Sequence, residues 1–115
     1  MSEEFGYTVK KIDSVDVVAV VGDLDLHTLS ALETQLQSLI NRGSRRIILD
    51  LSKTQFLSST AVGIILEKHG RMVARHGKFM IACLSLTARD TIEALALDRV
   101  IHIYDTVEDA LGDVG

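Results

Sequence analysis

The stretch that decides the fold class lies between residues 47 and 84. It opens with Ile47-Ile48-Leu49-Asp50-Leu51, passes through Phe56-Leu57-Ser58-Ser59-Thr60-Ala61-Val62-Gly63, and closes with Phe79-Met80-Ile81-Ala82-Cys83-Leu84. The outer pieces are short apolar runs, the pattern of buried strands. From Ser59 to about Arg75, Val62, Ile65, Leu66, Met72 and Val73 share one helical stripe, and Gly77 is the expected stop. Strand, helix and strand in this order predict parallel strands joined by a helical crossover.

Working outward, the same alternation extends to both ends. Phe5, Tyr7 and Val9 alternate with polar neighbours, as in a half-buried strand. Val15-Asp16-Val17-Val18-Ala19-Val20-Val21 is β-branched and ends at Gly22, a buried strand by composition. Leu29, Leu32, Leu36, Leu39 and Ile40 repeat at helical spacing, and Asn41-Arg42-Gly43 supplies a basic last turn and a glycine stop. Beyond residue 84, Thr87-x-x-Asp90 and Thr106-x-x-Asp109 each place a capping hydroxyl three residues before a carboxylate. They are expected to open a helix through Ile92 and Leu95 and a short helix through Ala110 and Leu111, with Val100–Tyr104 as the last strand between them. The order ββαβαβαβα predicts an α/β domain over residues 1–115: a mixed sheet, parallel in its later strands, with helices packed on it.

Composition narrows the function. The 115 residues are 47% hydrophobic and 24% charged with a net charge of −4, so no basic excess argues for nucleic acid. The few aromatic residues, with no Trp, leave no stacking platform for single strands. No apolar run approaches the roughly 18 residues of a membrane span, and Met1-Ser2-Glu3-Glu4 lacks the marks of a signal peptide. The lone Cys83 forms no internal disulfide and fits a reducing compartment, so a cytoplasmic location is expected. Charge is uneven, however. Eight basic residues against two acidic ones fall between Arg42 and Lys78, and the remainder of the chain is correspondingly acidic. Solvated faces are the simplest reading of that run.

No constellation completes a catalytic or metal site. His69 and His76 lie seven residues apart, two helical turns, too far for one ion; His27 and His102 lack partners at ligand spacing. Cys83 reads as a small core residue without a base beside it. Gly22-Asp23-Leu24-Asp25 follows a strand and precedes a helix, but it lacks the further glycines of a dinucleotide fingerprint and the Gly-Lys-Ser/Thr of a phosphate loop. Its two acids suit a helix N-terminus; a small nucleotide-binding protein or enzyme using Asp23 and Asp25 is the alternative from another class. Three consecutive hydroxyls, Ser58-Ser59-Thr60, precede the second helix. One of them caps it; a hydroxyl there is also well placed to carry a phosphate.

Taken together, these segments resemble the STAS domain family, and within it the stand-alone bacterial anti-sigma factor antagonists. Val20-Val21-Gly22-Asp23-Leu24-Asp25 matches the family's Gly-Asp/Glu-Leu/Ile-Asp turn, and Thr28 matches the threonine that begins the next helix. Ile47–Ser52 matches the strand before the switch site, and Phe56–Gly63 resembles the Phe/Tyr-Met/Leu-Asp-Ser-Ser/Ala/Thr-Gly-Leu-Gly motif. Tyr104-Asp105-Thr106-Val107-Glu108-Asp109-Ala110-Leu111 is a common family ending. The resemblance implies a non-enzymatic binding protein without a cofactor or bound metal, monomeric when free. Its implied partners are an anti-sigma factor with serine kinase activity and a PP2C-type phosphatase; the unphosphorylated form frees a sigma factor. The phosphorylated serine falls on Ser59, with Ser58 and Thr60 as alternatives. Asp23, Asp25, Thr28, Ser58, Ser59, Thr60, Ala61 and Val62 form the implied partner-binding set. Ser58 replaces the motif's Asp and Ala61 its Gly, departures compatible with the alternative of a STAS subunit without a phosphoswitch, in a transporter or signalling scaffold.

Overall fold

The strands lie side by side in the order in which the chain makes them. In the computed structural model, which describes residues 6–83 and 85–114, they are β1 (Gly6–Ile12), β2 (Val15–Val21), β3 (Arg46–Lys53), β4 (Lys78–Ala82) and β5 (Ile103–Tyr104). β1 and β2 form an antiparallel hairpin, and β2 to β5 are parallel neighbours. The helices α1 (Leu29–Asn41), α2 (Ser59–Ala74) and α3 (Leu86–Ala94) are the crossovers between them, and α4 (Val107–Val114) follows β5. The expected α/β mixed sheet is therefore present in the expected order.

Successive crossovers of one hand that all step the same way along a sheet deposit their helices on one face. That face holds the main core. Val18, Val20, Leu49, Leu51 and Ile81 meet Leu32 and Leu36 of α1, Val62 and Ile65 of α2, and Ala88 and Ile92 of α3. On the other face, α4 lays Ala110 and Val114 over Val15, Val17, Ile48, Met80 and Ala82. Strands covered on both sides need continuous apolar runs, which is why β2, β3 and β4 lack polar alternation.

Several local expectations are corrected. Tyr7 and Val9 are exposed rather than half-buried, because β1 joins the sheet through a hairpin and has no crossover helix above it. Phe5 and Leu84 lie outside the described residues. The last strand is only Ile103–Tyr104: Leu97–Arg99 coils into a 3₁₀ turn, where the Ile101 N–H reaches the Leu97 carbonyl and both side chains are buried. Ser85, not Thr87, caps α3, accepting from the Ala88 N–H at 3.2 Å, whereas Thr106 does cap α4 through the Asp109 N–H at 3.1 Å. α1 ends as expected at Gly43 (φ +90°). There the N–H groups of Gly43 and Ser44 take the carbonyls of Ile40 and Leu39, a Schellman closure. After α2 the left-handed residue is His76 (φ +61°), not Gly77. Gly77 is required for space, since a Cβ there would stand 2.9 Å from the Arg45 carbonyl oxygen.

The stripe of α2 also differs from expectation. Val73 is exposed, whereas Lys68 is buried at the α1–α2 contact. Its ammonium is held by Glu67 at 3.0 Å, Glu33 at 3.6 Å and the Gln37 amide oxygen at 2.9 Å. A cation this buried persists only because all three partners are in place.

Candidate functional site

The carboxyl ends of β2, β3 and β4 point to one pole of the sheet, so the loops leading into α1, α2 and α3 gather there. Clefts at this end of parallel strands are where α/β proteins commonly bind. Gly22 (φ +99°) turns the chain out of β2 while its N–H still reaches the Lys53 carbonyl at 3.1 Å. Two residues later Leu24 forms a single parallel bridge with Leu57. The Leu24 N–H donates to the Phe56 carbonyl, and the Ser58 N–H donates to the Leu24 carbonyl, each at 2.9 Å. With Leu24 and Leu57 both buried, the two loops are locked into one unit.

The acids of the first loop serve this unit. Asp23 Oδ1 accepts from the Phe56 N–H at 3.1 Å. Asp25 Oδ1 accepts from the N–H groups of His27 at 2.9 Å and Thr28 at 3.2 Å, an Asx turn. The His27 N–H, aided by Thr28 and opposed by partial burial, holds the Asp25 carboxyl below its usual pKa. The Thr28 hydroxyl donates to the Asp23 carbonyl at 2.6 Å and accepts from the Asp25 N–H at 3.0 Å. It makes no cap bond to α1, although Thr28 occupies the N-cap position. Both acids are thus engaged by loop backbone. Among the described residues, no group of three or more His, Cys, Asp or Glu could hold a metal ion.

The three hydroxyls separate by role. Ser58 is extended (φ −70°, ψ 157°) and its Oγ accepts from the Ala61 N–H at 3.1 Å, so Ser58 is the N-cap. Ser59 is the first residue of α2 and Thr60 the second; both are exposed, and among the described residues neither hydroxyl has a hydrogen-bond partner. The first turn of α2 contains no acidic side chain. Ala61 and Val62, expected on the partner face, are instead buried at 2% and 3% exposure within the main core. They seat the helix and do not reach its surface. The Ala61 Cβ accordingly lies in the core.

Sequence reasoning missed the apolar residues around these hydroxyls. Leu26 and Leu86 are each 77% exposed and Phe56 is 50% exposed, Leu26 and Phe56 on the loops into α1 and α2 and Leu86 at the first position of α3. Leu26 carries a faint signal, an isolated large apolar side chain between Asp25 and His27 outside any periodic run.

Comparisons with known proteins bear on the family and the fold. The model of the STAS domain matches residues 7–110. The anti-sigma-F factor antagonist RsfB of Mycobacterium tuberculosis is 30% identical over 110 residues, covering 93% of this chain and 87% of that protein. The crystal structure of an anti-sigma factor antagonist from Mycobacterium paratuberculosis superimposes with a TM-score of 0.91 at 28% identity, over 99% of this chain and 98% of that one. The Bacillus cell fate determinant SpoIIAA in its phosphorylated form shares the fold, with a TM-score of 0.74 at 21% identity over 96% of this chain and all of that one. With the family model matching residues 7–110 and the fold superimposing over nearly the whole chain, the chain belongs to the STAS domain family and has anti-sigma factor antagonists as homologues over nearly its full length.

Proposed function

We propose that this chain is an anti-sigma factor antagonist controlled by phosphorylation of Ser59. Unphosphorylated, it binds an anti-sigma factor that is also a serine kinase, and a sigma factor is released. Phosphate on Ser59 dissolves the complex, and a PP2C-type phosphatase restores it. The observation that carries this reading is the division between neighbouring serines: Ser58 is engaged as the cap, whereas Ser59 presents a free hydroxyl at the start of α2. Leu26 and Phe56 on the adjoining loops and Leu86 at the start of α3 supply apolar surface for a partner to cover. At the two departures from the family motif, Ser58 caps the helix and the Ala61 Cβ is buried.

A phosphate adds about −1.5 to −2 charges. At a helix N-terminus that charge is favoured by roughly 0.3–1 kcal/mol, so the free domain keeps its fold. A partner shaped for a neutral hydroxyl has no such compensation. A like-charge contact at about 4 Å costs on the order of 1–4 kcal/mol, which weakens binding by roughly tenfold to several hundredfold. The test is mass spectrometry and co-elution after incubation with a kinase-type anti-sigma factor and ATP. Phosphate on Ser59 with loss of co-elution is the expected result. Phosphate on Ser58 or Thr60 moves the acceptor, and stable binding without phosphate favours a STAS subunit lacking the switch.

A further inference from the structure

We propose that the opposite pole of the sheet binds a compact polyphosphate, a small anion carrying two or more linked phosphates. There the β1–β2 turn, the α1–β3 loop and the α2–β4 loop enclose a concavity of about 730 Å³, within the usual size range of small-molecule sites. Lys11, Arg42, Arg45, Arg46, His76 and Lys78 line it, drawn from three separate parts of the chain. Asp16 is the one acid in the lining, and its Oδ2 already accepts from the Ser44 hydroxyl at 2.6 Å.

The cations of this bowl differ in pairing from three other basic residues, although Lys10, Lys53, Arg75 and Arg99 outside it are likewise without a carboxylate within 4 Å among the described residues. Lys68, Arg71 and Arg89 each have a carboxylate within 4 Å, but among the described residues none of Lys11, Arg42, Arg45, Arg46 and Lys78 does. Nor are they all needed for the negative helix ends that converge on this pole. The α1 carbonyls are closed by Gly43 and Ser44 and by Arg75, whose Nη1 donates to the Ile40 carbonyl at 2.6 Å. Lys78 serves α4 through the Val114 carbonyl at 3.2 Å. Four permanent charges remain around one hollow in a chain whose net charge is −4. Arginine forks match phosphate oxygens in pairs, so a ligand with several phosphates gains most here. An extended polyanion would leave the bowl and meet the acidic remainder of the surface, so a nucleic acid fits less well than a compact ligand.

The site is independent of Ser59 and stands or falls separately from the proposed function. It is tested by calorimetric titration of the purified chain with sodium tripolyphosphate and, in parallel, orthophosphate. Saturable one-site binding is expected, with tripolyphosphate at least about tenfold tighter. Arg42→Gln and Arg45→Gln, both at exposed positions, should each weaken it by about tenfold or more, while Asp16→Asn should strengthen it. Lys53→Gln, exposed and outside the bowl, should change nothing. Melting curves show that each variant is folded. Absence of saturable binding, indifference to the arginines in folded variants, or displacement of tripolyphosphate by an oligonucleotide or a polyglutamate peptide at lower concentration would each overturn the assignment.

Discussion

Replacing Ser58 and Ser59 by alanine, one at a time, separates the capping hydroxyl from the proposed phosphate acceptor. In Ser58→Ala the Ala61 N–H loses its 3.1 Å acceptor at a partly buried helix start. Loss of such a cap costs about 0.5–2 kcal/mol, typically near 1. Unfolding entropy of roughly 2.1 cal/mol/K per residue gives about 0.24 kcal/mol/K for a chain of this length, so the melting temperature should fall by about 2–8 °C. Ser59→Ala removes a hydroxyl that is exposed and without a partner among the described residues. Its melting temperature should stay within about 2 °C of the wild type, as for surface substitutions generally. The two variants should reverse order in the kinase assay: Ser58→Ala still accepts phosphate, and Ser59→Ala accepts none and stays bound to its partner. Differential scanning calorimetry and intact-mass measurement read the two quantities on the same samples. If Ser59→Ala were the destabilised variant, Ser59 would be the cap and α2 would begin one residue later. The acceptor assignment would then fail with it.

Three further outcomes follow from burial and charge. Val62→Asp should lower stability by about 4 kcal/mol or more, because it places an unpaired carboxylate in a core position that is 3% exposed; circular dichroism with urea checks this, and a near-native midpoint would show that Val62 is at the surface. The Asp25 carboxyl titrates below its ordinary value of 3.8 in the folded state. Its contribution to stability is therefore fully present above pH 3.8 and is lost as pH falls through the lower folded value, so the melting-temperature gap between Asp25→Asn and wild type should close in that acidic range. Cys83 is buried, and burial raises its thiol pKa. It should react with thiol reagents only on unfolding, and rapid labelling of the native protein would contradict its placement in the core.

Much of the candidate site is legible in the sequence, but its division of labour is not. The run Ser58-Ser59-Thr60 announces a helix start, yet any of the three hydroxyls has the chemistry of a cap. The choice falls on Ser58 because its N–H is tied to the Leu24 carbonyl, 34 residues earlier, which fixes where the strand-like backbone ends. Asp23 and Asp25 look like free acids in sequence; the folded loop turns them toward the backbone N–H groups of Phe56 and His27. Ala61 and Val62 follow the hydroxyls directly, but at 100° per residue a helix carries adjacent positions from surface to core.

The chain's own periodicities determine the alternation of strands and helices, the parallel character of β2 to β4, the glycine stop of α1 and the Thr106 cap of α4. These are properties of short segments, where spacing, β-branching and turn residues act through neighbouring backbone. Tertiary structure alone decides the linear strand order, the grouping of α1 to α3 on one face, the exposure of Tyr7, Val9 and Val73, and the burial of Lys68. It also decides which cations around the hollow opposite Ser59 have no carboxylate partner among the described residues and which cations elsewhere are paired. The reason is physical: whether a side chain is covered, and which charge it meets, depends on elements tens of residues away, and no local pattern encodes which of them will close over it.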